Sequence, residues 1–189
     1  MEIELKAHVA DNELIKLLLF KKAEYRYAFE KEDTYWFLDN VLECDPRRLR
    51  IRSEKRSLPD GREESFTYLT HKIKEVRNGL EVNNEREFEI SSSSKKTAEE
   101  FSEVLRIIGF EPGVSKVKCG FTFSYDGINA ELCEVGKLGW FLELEIIADN
   151  KREETVSEGR KRLLNFLADM CIDNEAIESR FYSEMLRNA

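Results

Sequence analysis

Charged residues alternate with apolar ones inside several segments that read as β-strands: Glu2, Glu4 and Lys6; Arg50 and Arg52; Lys116 and Lys118; Glu143 and Glu145. Residues i and i+2 of a strand share a face, so each segment carries its charges on one side. The intervening Ile3 and Leu5, Leu49 and Ile51, Val117 and Cys119, and Leu142, Leu144 and Ile146 face the other way. A half-buried sheet ordinarily turns such a charged face to water, and for any one segment that reading suffices. Here the acidic pairs sit near both chain ends and the basic pairs between them. A sheet that closes on itself would bring both sets into one lumen and leave its apolar faces outside. Like charges enclosed in this way need partners, and a ligand can supply them: an anion for the cations, a metal for the carboxylates.

At 189 residues the chain reads as a single domain over 1–189 with a sizeable core. The net charge of -8 argues against general nucleic-acid binding, because an acidic body is repelled by phosphate backbones. No membrane partner is expected: the longest apolar run, Leu14 to Phe20, is short and interrupted by Lys16. Met1 leads directly into a strand rather than a secretory signal, and Cys44, Cys119, Cys133 and Cys171 lack the spacing of a zinc site or disulfide framework. A cytoplasmic location with reduced thiols is the expectation, with a homodimer as the default assembly.

Strands are predicted over Glu2–Val9, Tyr25–Phe29, Asp33–Leu38, Arg48–Lys55, Ser65–Lys74, Glu85–Ile90, Val114–Tyr125, Ile128–Val135 and Trp140–Ala148. Turn signals at Asp39-Asn40, Pro59-Asp60-Gly61, Arg77-Asn78-Gly79, Pro112-Gly113 and Asp126-Gly127 separate them. Helices are predicted over Glu13–Ala23, capped by Asp11 or Asn12, over Thr97–Ile108 and over Glu153–Met170. The second presents Ala98, Phe101, Val104, Leu105 and Ile108 on one face. The tail Ile177–Leu186 reads as a strand fragment or a short helix. Many antiparallel strands with three helices make an α+β domain.

Glu2, Glu4, Glu143 and Glu145 offer the oxygen ligands that Mg2+ or Mn2+ takes, whereas His8 and His71 are too few for a histidine zinc site. The alternative is that these carboxylates are solvated or paired with neighbouring cations. Arg50 and Arg52, with Lys6, Lys72, Lys116 and Lys118, can bind successive phosphates, arginine through its fork and lysine as a point charge. In the cluster Arg47, Arg48, Arg50, Arg52, Lys55 and Arg56, alternation points Arg48, Arg50 and Arg52 inward and leaves the rest to solvent. Tyr35 and Tyr182 are ligand contacts or packing residues. No glycine-rich phosphate loop and no nucleophilic triad pattern is present.

Glu2-Ile-Glu-Leu-Lys6 resembles the ExExK signature of the CYTH family, the triphosphate tunnel metalloenzymes. Asp33-Thr-Tyr35, Leu49-Arg-Ile-Arg52, a strand ending in Lys72, Lys116-Val-Lys118 and Leu138-Gly-Trp-Phe-Leu-Glu-Leu-Glu145 follow in that family's order and extend the resemblance over nearly the whole chain. The resemblance implies a closed, eight-stranded antiparallel β-barrel with helices packed outside, a tunnel holding a triphosphate, and Mg2+ or Mn2+ as cofactor. It implies metal binding by Glu2, Glu4, Glu143 and Glu145, and phosphate binding by Lys6, Arg50, Arg52, Lys72, Lys116 and Lys118. Glu4, Lys6, Arg52 and Lys72 become the expected catalytic set. Arg180-Phe-Tyr182-Ser-Glu-Met-Leu186 is similar to the ending of class IV adenylyl cyclases, which adds Arg180 to the substrate contacts.

The chain departs from the family pattern in two places. Lys118 stands where arginine is usual, and Cys133 stands where an acid is expected, with Glu131 on the same strand face as a substitute metal ligand. The expected activity is a class IV adenylyl cyclase converting ATP to cyclic AMP and pyrophosphate. The alternatives are a tripolyphosphatase or thiamine triphosphatase of the same fold, and a non-catalytic module that binds nucleotide or polyphosphate.

Overall fold

The computed structural model describes residues 1–38, 49–77, 80–91, 95–149 and 152–187. Eight strands form a closed antiparallel barrel: β1 (Glu2–His8), β2 (Glu24–Leu38), β3 (Leu49–Ser57), β4 (Glu63–Arg77), β5 (Leu80–Ser91), β6 (Phe110–Tyr125), β7 (Ile128–Val135) and β8 (Trp140–Ile147). Their order around the barrel is β1-β5-β4-β3-β2-β6-β7-β8, and β8 closes on β1 with Glu4 opposite Glu145 and Lys6 opposite Glu143. Four α-helices accompany it: α1 (Asn12–Lys22), α2 (Lys95–Ile107), α3 (Glu153–Asp169) and α4 (Tyr182–Arg187).

The alternation explains the closure. Ile3, Leu5 and Ala7 on β1 and Leu142, Leu144 and Ile146 on β8 turn outward and are buried beneath α3, whose Val156, Leu163, Phe166 and Leu167 complete the main core. Gly159 lets α3 lie close, since a Cβ there would come within 2.7 Å of Ile3 Cδ1. A second outer layer forms where Leu105 of α2 meets Trp36 and Ile51. The apolar layers therefore lie on the barrel's outside and the ionic one within.

Asp11 caps α1 as expected, its carboxylate accepting from Leu14 N at 3.0 Å. Several sequence expectations are corrected. β2 is one 15-residue strand rather than two. Its charged middle alternates in phase with the barrel, burying Phe29, Lys31 and Asp33 and exposing Glu30 and Glu32. β6 begins at Phe110, with Pro112 inside the strand at a register shift against β2 instead of in a turn before it. β5 begins five residues early, at Leu80. Val104 on α2 and Ile108 just beyond its end are exposed, so the buried stripe is narrower than the periodicity implied. The tail does both things expected of it: Ile177 bridges Ala7, and α4 follows. Asp39-Asn40, Cys44, Arg47, Arg48 and Asn78-Gly79 lie outside the described residues.

Candidate functional site

The inner wall builds one cavity of about 270 Å³, small for a ligand pocket. β1 supplies Glu2 and Glu4; β2 Lys31 and Tyr35; β3 Arg50, Arg52, Glu54 and Arg56; β4 Lys72; and β5 Glu81, Glu85 and Glu87. Lys116 and Lys118 come from β6, Asn129 and Glu131 from β7, Glu143 and Glu145 from β8, and Tyr182 from α4. Seven cations and nine carboxylates thus face one space, so the lumen as a whole is not basic.

The charges are sorted into knots. Asp33, fully buried behind the cavity wall, takes Arg52 in a bidentate grip at 2.7 and 3.0 Å, with Lys116 at 3.1 Å and Arg50 at 4.0 Å. Burial alone would raise its pKa, but Arg52, Lys116 and Arg50 together hold it well below the usual carboxylate range. Glu131 joins Lys31 at 2.5 Å to Lys118 at 3.1 Å, and Lys118 reaches on to Glu143 at 2.5 Å. Lys72 lies among Glu2 at 2.9 Å, Glu85 at 3.0 Å and Glu4 at 3.3 Å. Arg50 spans Glu85 at 2.8 Å and Glu87 at 3.1 Å and donates to the Thr70 hydroxyl at 3.0 Å.

This pairing corrects the premise that enclosed like charges lack partners within the chain. The sequence reading missed the acids of β5 and Asp33, which neutralise the cations of β3, β4 and β6. It also placed Arg56 in solvent, whereas Arg56 lines the cavity, bound to Glu54 at 2.6 Å and lying over the rings of Tyr27 and Phe66. The missed residues carry the same signal as the others: Glu81, Asn83, Glu85 and Glu87 alternate, as do Phe29, Lys31, Asp33 and Tyr35.

The structure gathers twelve sequence candidates around the cavity: Glu2, Glu4, Tyr35, Arg50, Arg52, Lys72, Lys116, Lys118, Glu131, Glu143, Glu145 and Tyr182. Lys6 stands just behind the wall, paired with Glu81 at 2.6 Å. Arg180 is not brought in. Its side chain is 61% exposed and is turned onto Glu178, to which its backbone N and Nε both donate. Tyr182, by contrast, inserts beneath Lys6 and Lys116, whose ammonium groups lie 5.5 and 5.0 Å from its ring centre. It belongs to an apolar floor with Phe29, Cys133, Val135, Phe141 and Met185. Cys133 is fully buried in that floor, and burial pushes its thiol pKa up.

The acidic edge suits a hard cation. Glu145 faces Glu4 across the β1–β8 pairing, and its pKa is pushed up to about 8, first by burial and then by Glu2 and Glu4. Carboxylates that repel one another so strongly are relieved by a positive charge. All their donors are oxygens, the set for Mg2+ or Mn2+ and not for zinc. Among the described residues no three acids, histidines or cysteines are already drawn together closely enough to hold a metal. A bound cation would therefore have to draw Glu2, Glu4 and Glu145 inward.

No protein-family model matches the chain. No curated protein matches it either. Solved structures do. The PH1819 protein of Pyrococcus horikoshii OT3 is 25% identical, with a TM-score of 0.82 over 100% of this chain and 99% of its own. A candidate adenylate cyclase of Vibrio parahaemolyticus is 16% identical with a TM-score of 0.74, covering 98% of this chain and 97% of that one. A Hippeastrum adenylyl cyclase candidate with a dominant triphosphatase activity is 15% identical with a TM-score of 0.61, covering 100% and 96%. The chain shares the fold of these structures, which in this chain is a closed eight-stranded antiparallel barrel with an ionic interior.

Proposed function

We propose that the protein is a metal-dependent enzyme acting on a triphosphate, and specifically a class IV adenylyl cyclase that converts ATP to cyclic AMP and pyrophosphate. The observation that carries the reading is the meeting of cations from β2, β3, β4 and β6 around one cavity with an acidic edge formed by β1 and β8. Arg50, Arg52, Lys116 and Lys118 would take the phosphate oxygens, exchanging internal carboxylate partners for those of the substrate. Asp33 holds Arg52, Lys116 and Arg50 about a single point, so their spacing is set before substrate arrives. Phosphoryl transfer consists largely of such positioning and charge neutralisation. Mg2+ or Mn2+ held by Glu2, Glu4 and Glu145, with Glu143 and Glu131 close by, would supply Lewis-acid stabilisation of the phosphate oxygens. In the cyclase reaction the ribose 3′ hydroxyl attacks the α-phosphorus and pyrophosphate leaves.

A second reading, hydrolysis of inorganic or thiamine triphosphate, is favoured by the lining itself. Apart from Tyr35 and Tyr182 it is polar throughout, which recognises a phosphate chain and gives a base little to stack on. Incubation with ATP, thiamine triphosphate and tripolyphosphate in Mg2+ or Mn2+, with products resolved, separates the two. Cyclic AMP with pyrophosphate supports the cyclase, and orthophosphate without cyclic AMP supports the phosphohydrolase. Calorimetric binding with no product from any substrate would overturn both and leave a binding module.

A further inference from the structure

The Lys72 ammonium is surrounded by three carboxylates, those of Glu2, Glu4 and Glu85, at 2.9, 3.3 and 3.0 Å. Those neighbours hold its pKa well above the ordinary lysine value despite burial that would lower it. Two of the three, Glu2 and Glu4, belong to the acidic edge assigned above to a divalent cation. Next to them stands Asn83, fully buried and opposite Glu2 in the β1–β5 pairing. Its amide nitrogen donates to Glu4 Oε2 at 3.1 Å, while its carbonyl oxygen Oδ1 has no hydrogen-bond partner among the described residues. A buried carbonyl oxygen left unmatched beside a carboxylate cluster has the donor chemistry to ligate a hard cation.

We propose that Lys72 is an exchangeable internal cation: it occupies the place among Glu2, Glu4 and Glu85 that a divalent ion takes, with Asn83 Oδ1 as a further ligand, and ion entry releases its ammonium to the triphosphate. This rests on the metal-dependent triphosphate reading and adds a coupling to it. Lys72 sits on a strand neighbouring Arg50, which shares Glu85 with it. A side chain let go by the acids thus has the phosphate-binding cations beside it. Lys72 and a divalent ion compete for the same carboxylate oxygens, so the lysine offsets part of their negative charge until an anion arrives to receive it. Metal and triphosphate then bind with positive cooperativity, each strengthening the other by the same factor.

The test is Mn2+ titration by calorimetry, with and without non-hydrolysed tripolyphosphate, on the wild-type chain and on Lys72→Met and Lys72→Arg. Lys72→Met, which keeps the stem and removes the charge, should bind Mn2+ about tenfold more tightly than wild type in the absence of triphosphate and lose the cooperativity. Lys72→Arg should bind Mn2+ no better than wild type. Asn83→Leu should weaken Mn2+ several-fold in either background. Equal or weaker Mn2+ binding by Lys72→Met overturns the exchange. Should that variant not fold without metal, the wild-type chain answers alone: the 15N signal of the Lys72 ammonium should move on Mg2+ addition, and an unmoved signal at saturating Mg2+ overturns the proposal. If wild type binds neither Mn2+ nor tripolyphosphate, the functional reading itself fails, a result distinct from either.

Discussion

Replacing Asp33 by asparagine tests how Arg52, Lys116 and Arg50 are held. Asp33 is fully buried and supports Arg52, Lys116 and Arg50, whose side chains are 13%, 7% and 10% exposed. Removing one partner of a buried pair typically costs about 3–5 kcal/mol, because the surviving charge stays enclosed. The amide would keep an oxygen for Arg52 but none of the charge, which places the expected loss near about 3 kcal/mol. The same loss leaves three cations under-neutralised, and a polyanion answers that need. A ligand at a hundred times its Kd stabilises by about 2.7 kcal/mol. With tripolyphosphate bound about fivefold more tightly by the freed cations, one fixed saturating concentration should stabilise Asp33→Asn by about 1 kcal/mol more than wild type. Urea unfolding of both proteins, with and without tripolyphosphate, measures each quantity. A loss below about 1 kcal/mol, or a smaller ligand gain in the variant, would refute Asp33 as the point about which these cations are held.

Three further outcomes are expected. Glu145 has a folded pKa of about 8 against an ordinary 4.5, so the folded chain retains a proton that the unfolded chain releases; its contribution is full below about pH 4.5 and is lost as pH rises through about 8. In metal-free buffer Glu145→Gln should flatten the fall of stability between about pH 5.5 and 8 by about 1–3 kcal/mol, discounted for water in the cavity, and parallel curves would show that the repulsion is absent. Gly120→Ala should destabilise by at least about 2 kcal/mol in thermal or urea unfolding, since the new Cβ would stand 2.2 Å from Leu132 O and 2.7 Å from Cys133 Cα, both backbone atoms. Cys133→Asp, which installs the acid expected from the family pattern, should lower stability by several kcal/mol and fail to raise turnover, because it buries a carboxylate among Phe141, Tyr182 and Met185 with Glu143 3.9 Å from the present sulfur.

What the sequence made legible was the periodicity. A two-residue repeat of charge in β1, β3, β6 and β8 was enough to put acids and bases on one face, and a tunnel follows from closing that face inward. The same repeat was masked elsewhere. In β2 the polar run Glu30 to Asp33 resembles a loop, because exposed Glu30 and Glu32 alternate with enclosed Lys31 and Asp33. In β5 the alternating acids look like a solvated face until the barrel closes. Whether a cation meets an anion of its own chain depends on cross-strand register, as with Lys72 opposite Glu85 and Asp33 opposite Arg52, and register is a property of the closed sheet. Arg180 shows the opposite limit: a neighbour two residues away, Glu178, captured a side chain that the motif alone assigned to substrate.

The apolar floor laid by Tyr182 and its neighbours gives the α4 side of the lumen a carbon surface where the rest of the lining is ionic. A linear polyanion in the lumen would meet that surface with one end only. Sidedness of this kind would place the two ends of such a molecule in different surroundings although the cations along the wall are chemically alike.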